Sequence, residues 1–176
     1  PAGAVGALFE SVIDERLGTP TIIGVSLIVF GLLLAWADRR AGARRIEDYG
    51  GRDAVVVGVA QALALNPGTS RSGITMTAGR WVGLSRDAAA RASFLMAIPV
   101  TAGAVGFKML KLLRDGIPDG LGWPMVVGII TSCISGWLAV WGTLRLVRTR
   151  SFMPFVVYRC MLGVVVLILV ASGFRS

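Results

Sequence analysis

The chain has 176 residues, 55% of them hydrophobic and 16% charged. That charged share is far below the roughly 25% of soluble domains, so an ordinary water-soluble fold is excluded. The net charge of +8 does not point to nucleic acid, because the arginines cluster in short loops beside apolar runs and form no basic face interleaved with aromatics. Histidine is absent, which excludes imidazole chemistry from this chain. Cys133 and Cys160 lie in apolar runs without metal-ligand spacing and read as small buried hydrophobes.

The chain opens at Pro1 inside a helical pattern, PAGAVGALFESVI, with no signal-peptide pattern. Upstream sequence is therefore expected, and residues 1–13 read as the end of a membrane helix. Asp14–Thr19 is a polar turn, and Pro20 suits the first turn of the next helix. The run Thr21–Ala37 stops at Asp38-Arg39-Arg40, and a polar loop with a Gly50-Gly51 turn follows. Ala54–Leu65 is apolar but only about 18 Å long as a helix, too short to cross a bilayer. Asn66-Pro67-Gly68 breaks it, and Gly73–Val82 can form a second short helix. Ala92–Leu113, Trp123–Leu144 and Pro154–Ser172 then follow. Each approaches or exceeds the roughly 17–25 residues that span a membrane.

The expected fold is thus all-α and polytopic, a single membrane domain. Its spans fall at about 1–13, 21–37, 92–113, 123–144 and 154–172, with a re-entrant hairpin at about 54–82. A single kinked span over Ala54–Val82 is the alternative, and charge separates the two. Re-entry places Arg39, Arg40, Arg44, Arg45, Arg52, Arg80, Arg86, Arg91, Arg145, Arg148 and Arg150 on one side, 11 cations against 5 opposite. A crossing hairpin gives 9 against 7. The positive-inside bias favours re-entry from the cytoplasmic side. A hairpin of this kind also suggests an inverted counterpart, so the chain reads as half of an inverted-repeat architecture. Trp36, Trp81, Trp123 and Trp141 lie near segment ends, as interfacial anchors do. The glycines of Gly79–Gly83 and the small residues of Ala102–Gly106 read as close-packing positions.

The segment Ala64–Thr77 (ALNPGTSRSGITMT) holds the candidate chemistry. Lipid supplies no hydrogen bonds, so broken backbone and a guanidinium persist at membrane depth only beside protein or a polar cavity. Past Pro67-Gly68 the amides opening the second helix lack intrahelical acceptors and carry the positive end of the macrodipole. Gly68 and Gly73 permit close backbone approach, Arg71 offers a forked donor, and Thr69, Ser70, Ser72 and Thr75 add hydroxyls. Every group donates, so the site calls for an anion, phosphate in particular. A mid-membrane arginine costs about 2.5–3.5 kcal/mol. One charge-assisted hydrogen bond returns about 1.5–3 kcal/mol, so a bidentate phosphate contact offsets the penalty. No acidic residue of the apolar segments is placed to pair with Arg71. The competing reading has the hydroxyls merely capping a kinked helix. Arg159, about six residues into the last run, either snorkels to the interface or points into the site. Gln61 reads as a helix–helix hydrogen-bonding residue.

The stretch NPGTSRSGITMTAGRWVGLSRDAAARASFLMAIPV closely resembles the PGxSRSxxT region of bacterial undecaprenyl-diphosphate phosphatases, the BacA/UppP family. SFMPFVVYRCMLG resembles the last span of that family, and PAGAVGALFE its mid-protein helix, so the likeness covers the whole chain as the C-terminal two-thirds of the usual length. The resemblance implies hydrolysis of undecaprenyl diphosphate to undecaprenyl phosphate, recycling the lipid carrier for peptidoglycan, and a link to bacitracin resistance. It implies catalytic positions at Arg71, Ser70 and Thr75, with Gly68, Thr69, Ser72 and Gly73 binding substrate. It further implies a bacterial inner-membrane location, a site opening to the periplasmic face, and support by a divalent cation, Mg or Ca. The ligands of that cation are expected upstream, since the family's motif of paired glutamates, serines and a histidine is absent here. The chain alone is therefore expected to be inactive. A second copy of the chain is one further candidate partner. A transporter or flippase for a phosphorylated lipid uses the same donor chemistry and is the alternative reading.

Overall fold

A computed structural model describes residues 19–116 and 120–173, and the expected helix end at 1–13 lies outside them. Six α-helices are described: α1 (Pro20–Asp38), α2 (Gly51–Ala62), α3 (Arg71–Trp81), α4 (Arg86–Asp115), α5 (Gly122–Thr149) and α6 (Met153–Ala171). Two 3₁₀ turns, Ile46–Asp48 and Leu63–Leu65, sit in the connections before and after α2. Four helices, α1, α4, α5 and α6, are long and apolar enough to cross a membrane. The protein is an all-α, multi-pass membrane protein.

Local chemistry sets the helix starts. Thr19 caps α1 by accepting the Ile22 N–H at 3.5 Å, with Pro20 in the first turn. Ser70 caps α3 through the Gly73 N–H at 3.1 Å, and Ser85 caps α4 through the Ala88 N–H at 3.2 Å. Gly83, at φ +89°, makes the tight turn between α3 and α4. The expected spans begin and end within a few residues of these helices, except that α4 starts at Arg86, ahead of the expected Ala92.

The closest helix pairing joins α1 to α6, and it is glycine-mediated. A Cβ on Gly163 would stand 2.8 Å from the Gly24 carbonyl oxygen, and one on Gly24 2.9 Å from Leu167. Lipid gives no hydrophobic drive for helices to associate, so this van der Waals fit is what holds the pair. Gly79 packs equally tightly, its Cβ position lying 3.0 Å from Ala89 Cβ on α4. Gly103 and Gly106 do not serve as expected: the space beside them is open among the described residues. Cys133 is exposed on α5 and Cys160 half-buried, so the expectation of two buried cysteines fails for Cys133.

The helices α2 and α3 pack against each other as a hairpin. Its open ends are held by Arg44, whose Nη1 and Nη2 reach Asp53 in the first turn of α2 at 3.0 and 2.7 Å. The same Nη1 donates to the Val82 carbonyl just past α3 at 2.9 Å. Both feet of the hairpin therefore stand at one end of the bundle. That end is built of charge. Asp38, only 6% exposed, accepts from Arg86 Nε at 2.6 Å and from the Phe152 N–H at 3.2 Å. Arg80, also buried, donates to the Leu84, Asp38 and Arg40 carbonyls. Asp87 binds Arg91 at 2.7 Å and Arg148 at 2.9 Å. Trp36 and Trp81 meet edge to face at 4.4 Å between centroids, with the Arg40 guanidinium over both rings.

Candidate functional site

The opposite end of the hairpin is a turn, Asn66–Ser70, pressed between α1 and α6. Gly68 has φ +85°, a left-handed conformation, and a Cβ there would stand 2.6 Å from the Ile23 carbonyl oxygen. Asn66 Nδ2 donates to Ser26 Oγ of α1 at 2.8 Å and to Thr69 Oγ1 at 3.2 Å. The turn thus docks against α1 at Ile23 and Ser26, some 12 to 15 residues from Asp38. At 1.5 Å per residue that is roughly 18–22 Å from the arginine-rich end.

Arg159 reaches this turn from α6. It is 7% exposed, and its Nη2 donates to the Gly68 carbonyl at 3.0 Å. Its Nε is buried with no hydrogen-bond partner among the described residues. Gly73 makes room for it, since a Cβ there would lie 2.7 Å from Nη1. Of the two readings left open for Arg159, the structure gives the inward one. A buried guanidinium with one carbonyl bond and an orphaned Nε is far from saturated, given five donor N–H groups. Burying such a group without partners is costly.

A cavity of about 310 Å³ opens beside it. Ser70, Ser72, Gly73, Thr143 and Arg159 supply its polar part; Leu27, Leu34, Met76, Phe94, Phe152, Phe155 and Tyr158 supply apolar walls. Ser70 Oγ and Ser72 Oγ are 3.2 Å apart at the start of α3, whose first N–H groups have no intrahelical acceptors. Positive helix end, serine hydroxyls and guanidinium converge on one anion-sized space. The walls suit an apolar chain attached to that anion.

The expected site residues divide into three groups. Ser70, Ser72 and Gly73 line the cavity, and Gly68 and Thr69 shape the turn behind it. Arg71 is the first residue of α3, its side chain exposed outside the cavity lining and without an ion-pair partner among the described residues. Thr75 is 1% exposed and faces α4, where its hydroxyl meets Ser93. Two contributors escaped the sequence reading. Asn66 was taken only as part of the break, yet its amide ties the turn to Ser26; a serine inside the run Thr21–Ala37 was the available signal. Ser93, inside another apolar run, gave the same kind of signal. Gln61 is buried, and its Oε1 has no partner among the described residues.

The donor set does not fit a divalent cation. Guanidinium and N–H groups cannot ligate a metal, and the described residues contain no group of three carboxylate or thiol side chains that could.

A family model described as Bacitracin resistance protein BacA matches residues 1–165. The undecaprenyl-diphosphatase of Pelobacter propionicus is 47% identical over 178 residues, covering 100% of this chain and 65% of the relative. That of Geobacter sulfurreducens is 48% identical over 169 residues, covering 95% of this chain and 63% of the relative. A third, from Nocardioides sp., is 46% identical over 98% of this chain and 63% of its own length. The chain spans just under two-thirds of the length of these curated relatives. With identity of this order along its whole length, the chain belongs to the BacA family.

Proposed function

We propose that this chain supplies the phosphate-binding part of a membrane-integral phosphatase that converts undecaprenyl diphosphate to undecaprenyl phosphate. One observation carries the reading. Arg159 is buried, bound to a single carbonyl, and aimed into a cavity shared with Ser70, Ser72 and the start of α3. The names of the relatives supply the substrate: all three are undecaprenyl-diphosphatases. They favour hydrolysis over transport of a phosphorylated lipid.

In this reading the terminal phosphate sits between Arg159 and the first turn of α3, and Arg71 closes on it from the open side. As the bond to the leaving phosphate breaks, charge builds on oxygens already facing fixed donors, which lowers the barrier. The prenyl tail stays among Leu27, Met76, Phe94 and Phe155, because transferring it to water costs about 0.8 kcal/mol per CH₂. No step here passes through a metal; a cation would need oxygen ligands from outside the described residues. The nucleophile and base would likewise come from elsewhere in a protein of the relatives' length.

The orientation belongs to the same proposal. The arginine-rich end faces the cytoplasm by the positive-inside rule, so the hairpin re-enters from that side. The site then opens towards the outer face of the bacterial inner membrane. The docking of the turn near the far end of α1 supports this. A second copy of the chain gains no support from the described contacts.

The test measures phosphate release from undecaprenyl diphosphate by the full-length protein in detergent micelles. Arg159→Gln should lower kcat by about 10²–10³, the cost of removing one charge-stabilising donor. Near-normal turnover would overturn the assignment.

A further inference from the structure

Thr75 does not line the cavity, so its place near the site needs another account. Its Oγ1 lies 2.8 Å from the Arg71 carbonyl oxygen, 3.1 Å from that of Ser72 and 2.6 Å from Ser93 Oγ. A hydroxyl carries one proton. Thr75 donates it to the carbonyls of the first turn of α3, which leaves its lone pair to accept from Ser93. Ser93 is buried on α4, and its only other acceptor among the described residues is the Ser72 carbonyl at 3.5 Å.

Those two carbonyls are not arbitrary. The Arg71 carbonyl shares its peptide with the Ser72 N–H, which has no intrahelical acceptor. The Ser72 carbonyl shares its peptide with the Gly73 N–H, which donates to Ser70 Oγ at 3.1 Å. A hydrogen bond accepted by a peptide oxygen strengthens the donor at the other end of that peptide. Such chains gain about 10–30% per bond.

We propose that Ser93 is a positioning residue of this site. Acting through Thr75, it holds and polarises the first two peptides of α3, so that the Ser72 N–H and the Ser70 hydroxyl face the phosphate as fixed, strengthened donors. The inference rests on the phosphatase reading. It gives Thr75 a supporting role in place of substrate contact.

The experiment compares wild type, Ser93→Ala, Thr75→Val, Thr75→Ser and the Ser93→Ala/Thr75→Val double variant in the full-length protein. All are assayed on undecaprenyl diphosphate, and thermal midpoints are recorded alongside. Ser93→Ala should lower kcat about five- to tenfold with KM within about twofold, the scale of one neutral hydrogen bond. The double variant should be no worse than Thr75→Val alone, and Thr75→Ser, which keeps the hydroxyl, should be clearly more active than Thr75→Val. Unchanged kcat in Ser93→Ala overturns the inference, as do losses that multiply in the double variant. If Ser93→Ala does not accumulate, equal activity of Thr75→Val and Thr75→Ser overturns it instead. A wild-type protein that releases no phosphate refutes the phosphatase reading itself; an active wild type with an unaffected Ser93→Ala refutes only the role of Ser93.

Discussion

The two ends of the hairpin treat arginine in opposite ways. At the feet, Arg44, Arg86, Arg91 and Arg148 each lie on a carboxylate, and Arg80 is held by three carbonyls with Asp38 Oδ1 3.9 Å from its Nε. Asp38, Asp53 and Asp87 do nearly all the neutralising. At the turn, Arg159 has one carbonyl and Arg71 has no ion-pair partner among the described residues. Cations saturated by the fold hold helices together. Cations left short of acceptors are available to a ligand. The two buried arginines make the contrast: Arg80, whose Nε also lacks a hydrogen bond, keeps three carbonyls and a carboxylate nearby, whereas Arg159 keeps one carbonyl.

Substitution can break that comparison most forcefully at Asp38. Asp38→Ala strands Arg80 in the interior and frees Arg86 and the Phe152 N–H, so stability should drop by about 3–5 kcal/mol, the cost of removing one partner of a buried pair. A detergent thermal-melt series should show this loss, while Arg159→Gln, which relieves an under-satisfied charge, leaves the midpoint within a few degrees. Equal midpoints for the two variants would erase the distinction. A smaller effect is expected at Gly73, where an alanine Cβ would press on Arg159 Nη1 and on Ser70 Cβ at 3.2 Å. Gly73→Ala should displace the guanidinium and lower kcat about tenfold, a misplacement penalty rather than loss of the group. Full activity in that variant would show that the guanidinium need not lie against α3.

The mildest test uses pH. Hydrogen bonds from Arg44 and the Gly50 N–H hold the Asp53 carboxyl below the usual aspartate range, and the same pairing raises the Arg44 guanidinium. A depressed folded-state pKa stabilises the fold above the unfolded value, about 3.9. The contribution disappears as pH falls through the lower folded value. Amide protection factors at the feet of the hairpin, corrected for intrinsic exchange, should therefore fall on acidification below about pH 4. Asp53→Asn should show low protection at all pH values and lose this dependence. A dependence that survives the substitution would place the titrating group elsewhere.

Much of this was legible in the chain. Apolar run lengths gave the four long helices, and Asn66-Pro67-Gly68 marked the break between the short helices α2 and α3. Period and charge register such features because they are local. No local signal showed that Arg159 is buried, since what buries it is a contact across 91 positions with Gly68. Close packing was expected at Ala102–Gly106 and found at Gly24 and Gly163, because small residues permit approach without naming the partner. The resemblance puts Thr75 among the site positions; its contact with Ser93 becomes visible only once α4 is in place.

The bond from Arg159 to Gly68 also bears on how the protein is made. The turn is synthesised 91 residues ahead of Arg159, and until α6 arrives its Gly68 carbonyl lacks its side-chain donor in surroundings that supply few others. A ribosome that stops short of residue 159 releases a hairpin whose tip is held, among the described residues, by Ser26, Thr69 and its own backbone. Helix α6 therefore latches the turn, and a nascent chain holds the Gly68 carbonyl from this side only once Arg159 has been made.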